Sequence, residues 1–194
     1  MAGDAVIRIY EAPKRTDLSK WNLLEELPVL PVGAPPTHSG GTSFALSWCP
    51  SRLGGQQLVV AANNFVHLFR PDGRGQWQMG ELLQDDCGLV RCVDWAPGGQ
   101  RGYELIATGS KVGVVRIYKL TESNEGLMIG GGGYSVSIVG QFEHRGSMFR
   151  DVQRVKWNVT GTVLSSSGDD GRIRMWKENH LGKWKQHFVL SAEQ

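Results

Sequence analysis

The chain has 194 residues, with 21 Lys and Arg against 19 Asp and Glu and a formal net charge of +2. The two signs are interspersed, so no basic run marks a nucleic-acid footprint. No apolar stretch is long enough for a membrane-spanning helix, and an early Asp4 speaks against a secretory signal.

Glycine, at 26 residues, and tryptophan, at seven, are both plentiful, as short-stranded all-β repeat folds require for their turns and regularly placed aromatics. Cys49, Cys87 and Cys92 form no CxxC pair and read as free, packed thiols of a reducing compartment.

The first predicted strand is Val6-Ile-Arg-Ile-Tyr10, and Lys20-Trp21 opens a second one that runs to Leu27. Pro28 to Gly41, rich in Pro and Gly, follows as a loop. A four-strand unit then begins. Its first strand ends on Trp48, its second is the small-residue Leu58-Val-Val-Ala61, and its third is Val66-His-Leu-Phe69. Its fourth starts at Gln76-Trp77 and ends near Leu83.

The next unit repeats the plan with a first strand ending on Trp95, then Leu105-Ile-Ala-Thr108, then Val115-Arg-Ile-Tyr118. An insertion at 121–134, with four glycines from Gly130 to Gly133, precedes its fourth strand, Ser135 to Phe142. The last unit has first-strand Trp157, then Val163-Leu-Ser-Ser166, then Ile173-Arg-Met-Trp176, and a strand from Lys183-Trp184 to Leu190.

In every unit the residue two before the first-strand Trp is aliphatic (Leu46, Val93, Val155), so the two share a strand face. From first-strand Trp to third-strand aromatic the spacing is 21, 23 and 19 residues. Four short strands per unit, repeating every 47 and then 62 residues, are the sequence form of propeller blades. The expected fold is an all-β partial propeller of about three and a half blades. These are 1–30 (the second half of a blade), 42–84, 88–143 with the glycine-rich insertion, and 150–191. Trp48, Trp95, Trp157, Phe69, Tyr118 and Tyr10 are its expected packing aromatics. Because Tyr10 matches a third-strand aromatic with no first or second strand before it, the sequence is expected to be truncated at its N-terminal side.

The last unit, Trp157 to Lys177, contains Ser-Gly-Asp-Asp-Gly (167–171) and the Met-Trp of its third strand, and it resembles a WD repeat. That resemblance implies a hydrogen-bonded chain through His144, Ser166, Asp170 and Trp176. Arg8-Ile-Tyr-Glu-Ala-Pro13, Leu105 to Ser110, Val115 to Tyr118 and Gln141-Phe142 extend the likeness, so that nearly the whole chain resembles the Seh-type WD-repeat nucleoporins. The sibling subunit shared by the vesicle coat and the nuclear pore is similar too, but Ser167 to Gly171 and Arg8 to Pro13 favour the Seh type.

Membership implies a six-bladed open propeller, closed by a blade that a larger α-helical scaffold nucleoporin donates in trans. It implies residence at the nuclear envelope, in the Y-complex of the nuclear pore with its other subunits, supporting protein and mRNA transport. It also implies a second role beside the subunits of a nutrient-signalling complex, reached through partners at the lysosomal or vacuolar surface. No direct nucleic-acid contact and no membrane insertion are expected.

Chemistry-bearing motifs are missing from the sequence. The five histidines have no zinc spacing, and the glycine run lacks the Gly-Lys-Ser/Thr ending of a phosphate loop. Asp169-Asp170-Gly171 has too few oxygen ligands for calcium and reads as a tight turn. Adjacent carboxylates at Glu25-Glu26 and Asp85-Asp86 point to opposite strand faces, and no nucleophile elbow is present. No enzyme, cofactor or metal is therefore expected. The alternative reading, from another class, is a propeller that reads a peptide or nucleic acid at its central face.

Overall fold

The computed structural model describes residues 5–14, 16–29, 43–51, 55–84, 88–98, 102–123, 133–144 and 151–191. Fourteen strands carry the fold, and the described residues contain no helix. Strands β1 (Val6–Glu11) and β2 (Asn22–Pro28) form a two-stranded antiparallel sheet. β3 (Phe44–Trp48), β4 (Leu58–Ala62), β5 (Phe65–Pro71) and β6 (Trp77–Gln84) form the first full sheet in that spatial order.

The second full sheet holds β7 (Val90–Trp95), β8 (Glu104–Ser110), β9 (Val114–Ser123) and β10 (Gly133–Glu143). The third holds β11 (Val152–Trp157), β12 (Val163–Gly168), β13 (Arg172–Glu178) and β14 (Trp184–Ser191). Each is a simple meander, every strand paired with its chain neighbour, as short hairpins between alternating strands dictate. β9 and β10 reach into 121–134 from both sides, so strand occupies the ends of the stretch expected as an insertion. Gly130 to Gly132 and the Asp85-Asp86 pair lie outside the described residues.

Registry makes the repeat visible in three dimensions. Trp48 lies opposite Leu58, Trp95 opposite Ile106 and Trp157 opposite Leu164. Those second-strand residues in turn lie opposite Phe69, Tyr118 and Trp176. Every position of one sheet therefore has a named counterpart in the next.

The sheets stack face to face, with their first strands side by side: β3 packs on β7, and β7 on β11. Three apolar layers lie between successive sheets. Ile9, Leu27 and Val29 meet Leu58, Val60, Phe69 and Trp77. Val59, Ala61, Val66 and Leu68 of the first full sheet meet Val93, Trp95, Ile106 and Tyr118 of the second. Cys92, Leu105, Ala107 and Ile117 of the second meet Val155, Trp157, Leu164 and Trp176 of the third.

Small residues on β4, β8 and β12 permit this close approach. At Gly109 an added Cβ would come within 2.5 Å of Val152 in the next sheet. At Gly161, in the β11–β12 turn with φ of 62°, it would fall 2.0 Å from the Pro97 carbonyl oxygen. Burying the facing surfaces of successive sheets, at roughly 25 cal/mol per Å² of apolar area, is the main force holding the stack.

Candidate partner-binding surfaces

The sheets are tied together at their first strands by a recurring polar contact. The residue before the first-strand Trp, Ser47 in β3, accepts the backbone N–H of Trp95 through its hydroxyl oxygen at 3.1 Å. One sheet further on, Asp94 holds the same place, and its Oδ2 accepts the Trp157 N–H at 2.8 Å. The Asp94 backbone carbonyl also accepts the Trp157 indole N–H, at 3.2 Å, and its Oδ1 receives Lys156 Nζ. A buried N–H without a partner costs about 1–3 kcal/mol, so each link matters to the stack. Nothing in the sequence analysis singled out Ser47 or Asp94. The readable signal was a polar side chain at a strand position whose neighbours two residues away pack inward.

In the last sheet His144, Ser166 and Trp176 come together. Ser166 Oγ accepts the Trp176 indole N–H at 2.9 Å and lies 3.1 Å from His144 Nε2. The other ring nitrogen, His144 Nδ1, is buried without a hydrogen-bond partner among the described residues. Burial holds the His144 pKa down to about 4, aided by the Arg174 charge and opposed by Asp170; the ring is neutral at physiological pH.

Asp170 is engaged elsewhere. Its Oδ2 accepts Arg174 Nη2 and its Oδ1 accepts the Arg172 backbone N–H at 3.2 Å. Burial alone would raise its carboxyl. The hydrogen bonds from Arg174 and Arg172, with the Arg174 and His144 charges, more than offset that and leave it below the usual range. No hydrogen bond joins Asp170 to His144 among the described residues, so the aspartate is tied to the arginine instead of extending the chain.

Arg174 reaches back into the β12–β13 turn, whereas its counterparts hold an acceptor across the third hairpin. Arg8 pairs with Glu26 at 2.7 Å, and Arg116 Nε donates to Gln141 at 3.1 Å. His67, in the same slot of the first full sheet, is buried with neither ring nitrogen partnered. Burial lowers its pKa.

The aromatics divide by what lies in front of them. Trp95 and Trp157 are 3% and 8% exposed, whereas Trp48, at the same register, is 47% exposed. Tyr118, Phe69 and Trp176 are buried, whereas Tyr10 is 51% exposed. Trp48 and Tyr10, expected as packing aromatics, are each about half exposed among the described residues. Burial here is supplied by the preceding sheet, and the two-stranded β1–β2 sheet offers no first or second strand to cover β3. Trp48 makes an edge-on contact with Trp77, at 5.7 Å between ring centres. A cleft of 370 Å³ lies there, between Val6, Ile7 and Val29 on one wall and Phe44, Leu46 and Val60 on the other.

At the opposite end, Ile173, Phe188 and Leu190 lie exposed on the outer face of the last sheet. Both ends of the stack thus present sheet face that the interior sheets bury.

Among the described residues no group of three or more His, Cys, Asp or Glu could hold a metal ion. Burial pushes the Cys92 thiol up to about 12 and the Cys49 thiol to about 11, so both are protonated and poor nucleophiles.

Residues 138–177 match the family model of the WD domain, G-beta repeat. That stretch runs from β10 through β13 and holds His144, Ser166 and Trp176. Over its whole length the chain is also 30% identical to Nucleoporin SEH1 of Saccharomyces cerevisiae, of which it covers 64%. The chain is a relative of the Seh-type WD-repeat nucleoporins. Nucleoporin seh1 of Schizosaccharomyces pombe is 32% identical over the whole chain, which covers 60% of that protein. Human Nucleoporin SEH1 is 31% identical over 98% of the chain, with 52% of its own length covered.

The chain spans between about half and just under two thirds of the length of the curated relatives it matches. Its fold is that of a partial WD-repeat β-propeller, the meander sheets being blades and β3, β7 and β11 their neighbouring first strands. The relatives named here are all nucleoporins, and none carries the name of an enzyme.

Proposed function

We propose that this chain serves as a non-enzymatic scaffold subunit of the nuclear pore, in the outer-ring Y-complex, where it supports nucleocytoplasmic transport of protein and mRNA. One observation carries the proposal: the likeness to Nucleoporin SEH1 proteins runs through every sheet of the stack and not through a single repeat. The surfaces fit such a role. A stack of sheets with uncovered end faces binds by adding another sheet, and its working parts are apolar faces and strand edges. The partner in this reading is a larger α-helical scaffold nucleoporin that donates a blade in trans against the outer face of the last sheet, beside the other Y-complex subunits.

A fluorescently tagged chain, expressed at its native level, tests the reading. A nuclear rim signal, with recovery of α-helical nucleoporins on affinity purification, is the expected result. A diffuse signal without such partners refutes it. A signal confined to the vacuolar or lysosomal surface would favour the nutrient-signalling complex instead.

A further inference from the structure

The outer face of the last sheet differs in kind from the same face of the two sheets before it. Registry pairs Arg154 with Ala45 and Cys92, and Lys156 with Ser47 and Asp94. In the second strand Ser165 stands where Val59 and Ala107 stand, and Ser167 where Ala61 and Gly109 stand. Along the first two strands, then, two cations and two hydroxyls stand where the sheets before have small apolar residues at three positions and Ser47 or Asp94 at the fourth. Along the third strand the pattern stays apolar: Ile173 and Met175 match Val66 and Leu68, and Val115 and Ile117. The face is split, cationic next to the propeller axis and apolar further out.

Lys156 matters most. Ser47 and Asp94 each accept the backbone N–H of the next sheet's tryptophan. Lys156 stands in that place with an ammonium that already donates to Asp94 Oδ1 and has two further donors and no acceptor. Another strand of the β7 or β11 kind, arriving with an N–H at that height, would set donor against donor.

We infer that the strand which packs beside β11 is acidic, presenting carboxylates to Arg154 and Lys156, while the outer strands of the same partner are apolar and cover Ile173 and Met175. This deepens the trans-blade reading above and rests on it for the existence of a partner. Two features carry the chemistry. The face continues an interface that already repeats twice inside the molecule, and its charge complements an acid. A second copy of this chain is disfavoured as the occupant. Its open β3 face offers Phe44, Leu46 and Trp48, apolar groups that would bury Arg154 without a counter-charge.

The test uses the full chain and two synthetic twelve-residue peptides, one alternating Glu with Val and the other Lys with Val, followed by fluorescence anisotropy and sedimentation velocity. The Glu peptide is expected to bind at least about tenfold more tightly than the Lys peptide, two partly exposed ion pairs being the difference. Its affinity falls as salt rises. Arg154→Ala with Lys156→Ser, which installs the side chains found at Ala45 and Ser47, abolishes the preference. Equal affinity for the two peptides, no binding of the Glu peptide, or binding unaffected by the double substitution overturns the inference, as does self-association through this face. A chain whose double variant melts differently from the parent is replaced by the single Arg154→Ala variant, from which about half of the preference is expected to be lost. These outcomes are independent of where the tagged chain localises, so the inference can fail while the nuclear-pore reading stands.

Discussion

Replacing Asp94 by alanine isolates the link between the second and third full sheets. Its side chain is almost fully buried, and one oxygen accepts the Trp157 backbone N–H at 2.8 Å while the other holds Lys156. Losing a charge-assisted bond to a buried N–H costs about 1.5–3 kcal/mol. The Lys156 pair adds at most about 1 kcal/mol, because the lysine is half exposed and screened. The backbone carbonyl keeps its bond to the Trp157 indole whatever the side chain. The expected total is therefore about 2–4 kcal/mol.

With a urea m-value of roughly 2 kcal/mol per M for a protein of this size, the midpoint should fall by about 1–2 M. Tryptophan fluorescence at several protein concentrations reads it, since Trp157 and Trp184 lie within the affected layer. Asp94→Asn keeps an acceptor oxygen and gives up only the charge, so it should lose less than half as much. Two results would refute the reasoning: an alanine variant within about 0.3 M of the parent, or an asparagine variant as damaged as the alanine one.

Gly161→Ala should cost at least about 2 kcal/mol, through both a left-handed φ and a clash with the Pro97 carbonyl; a thermal melt of the variant measures it. Ser166→Ala strips the acceptor from the buried Trp176 indole and the partner from His144, for about 2–4 kcal/mol. Ser166→Thr, the kind of residue that Thr108 supplies in the preceding sheet, keeps the hydroxyl and should cost far less in the same melt. Stability should also fall as pH drops from about 6.5 to about 4. The unfolded chain takes up a proton on residue 144 in that window while the folded chain, with the His144 pKa held at about 4, does not. Burial at His67 acts with the same sign. Urea midpoints at pH 7.5 and 5.0 check this, and His144→Asn should flatten the difference.

Much of the fold can be read from the chain because each blade declares itself locally. A Trp closes the first strand, small residues fill the second, and an aliphatic-polar-aliphatic-aromatic run makes the third. Registry places Trp48, Trp95 and Trp157 at equivalent points. Exposure is another matter. Nothing around Trp48 or Tyr10 in sequence distinguishes them from Trp157 or Tyr118, because what buries each ring is the sheet before it, and burial is a property of the stack. The WD-type residues show the same limit. Ser166 and Trp176 pair across neighbouring strands and could be anticipated, whereas the tie of Asp170 to Arg174 depends on which of two nearby basic groups, His144 or Arg174, the carboxylate reaches. Asp94 was overlooked because a lone aspartate on a strand ordinarily faces water. Its acceptor role appears only when the next sheet brings up an N–H.

The links from Ser47 to Trp95 and from Asp94 to Trp157 have a mechanical consequence. Each helps to fix the step between two plates near the pivot, Ser47 through one hydrogen bond and Asp94 through three. A fraction of an ångström gained or lost at one pivot swings the far strands by several times as much, because those strands stand at the end of the lever. The width of any opening between distant plates is then the sum of the pivots along the way.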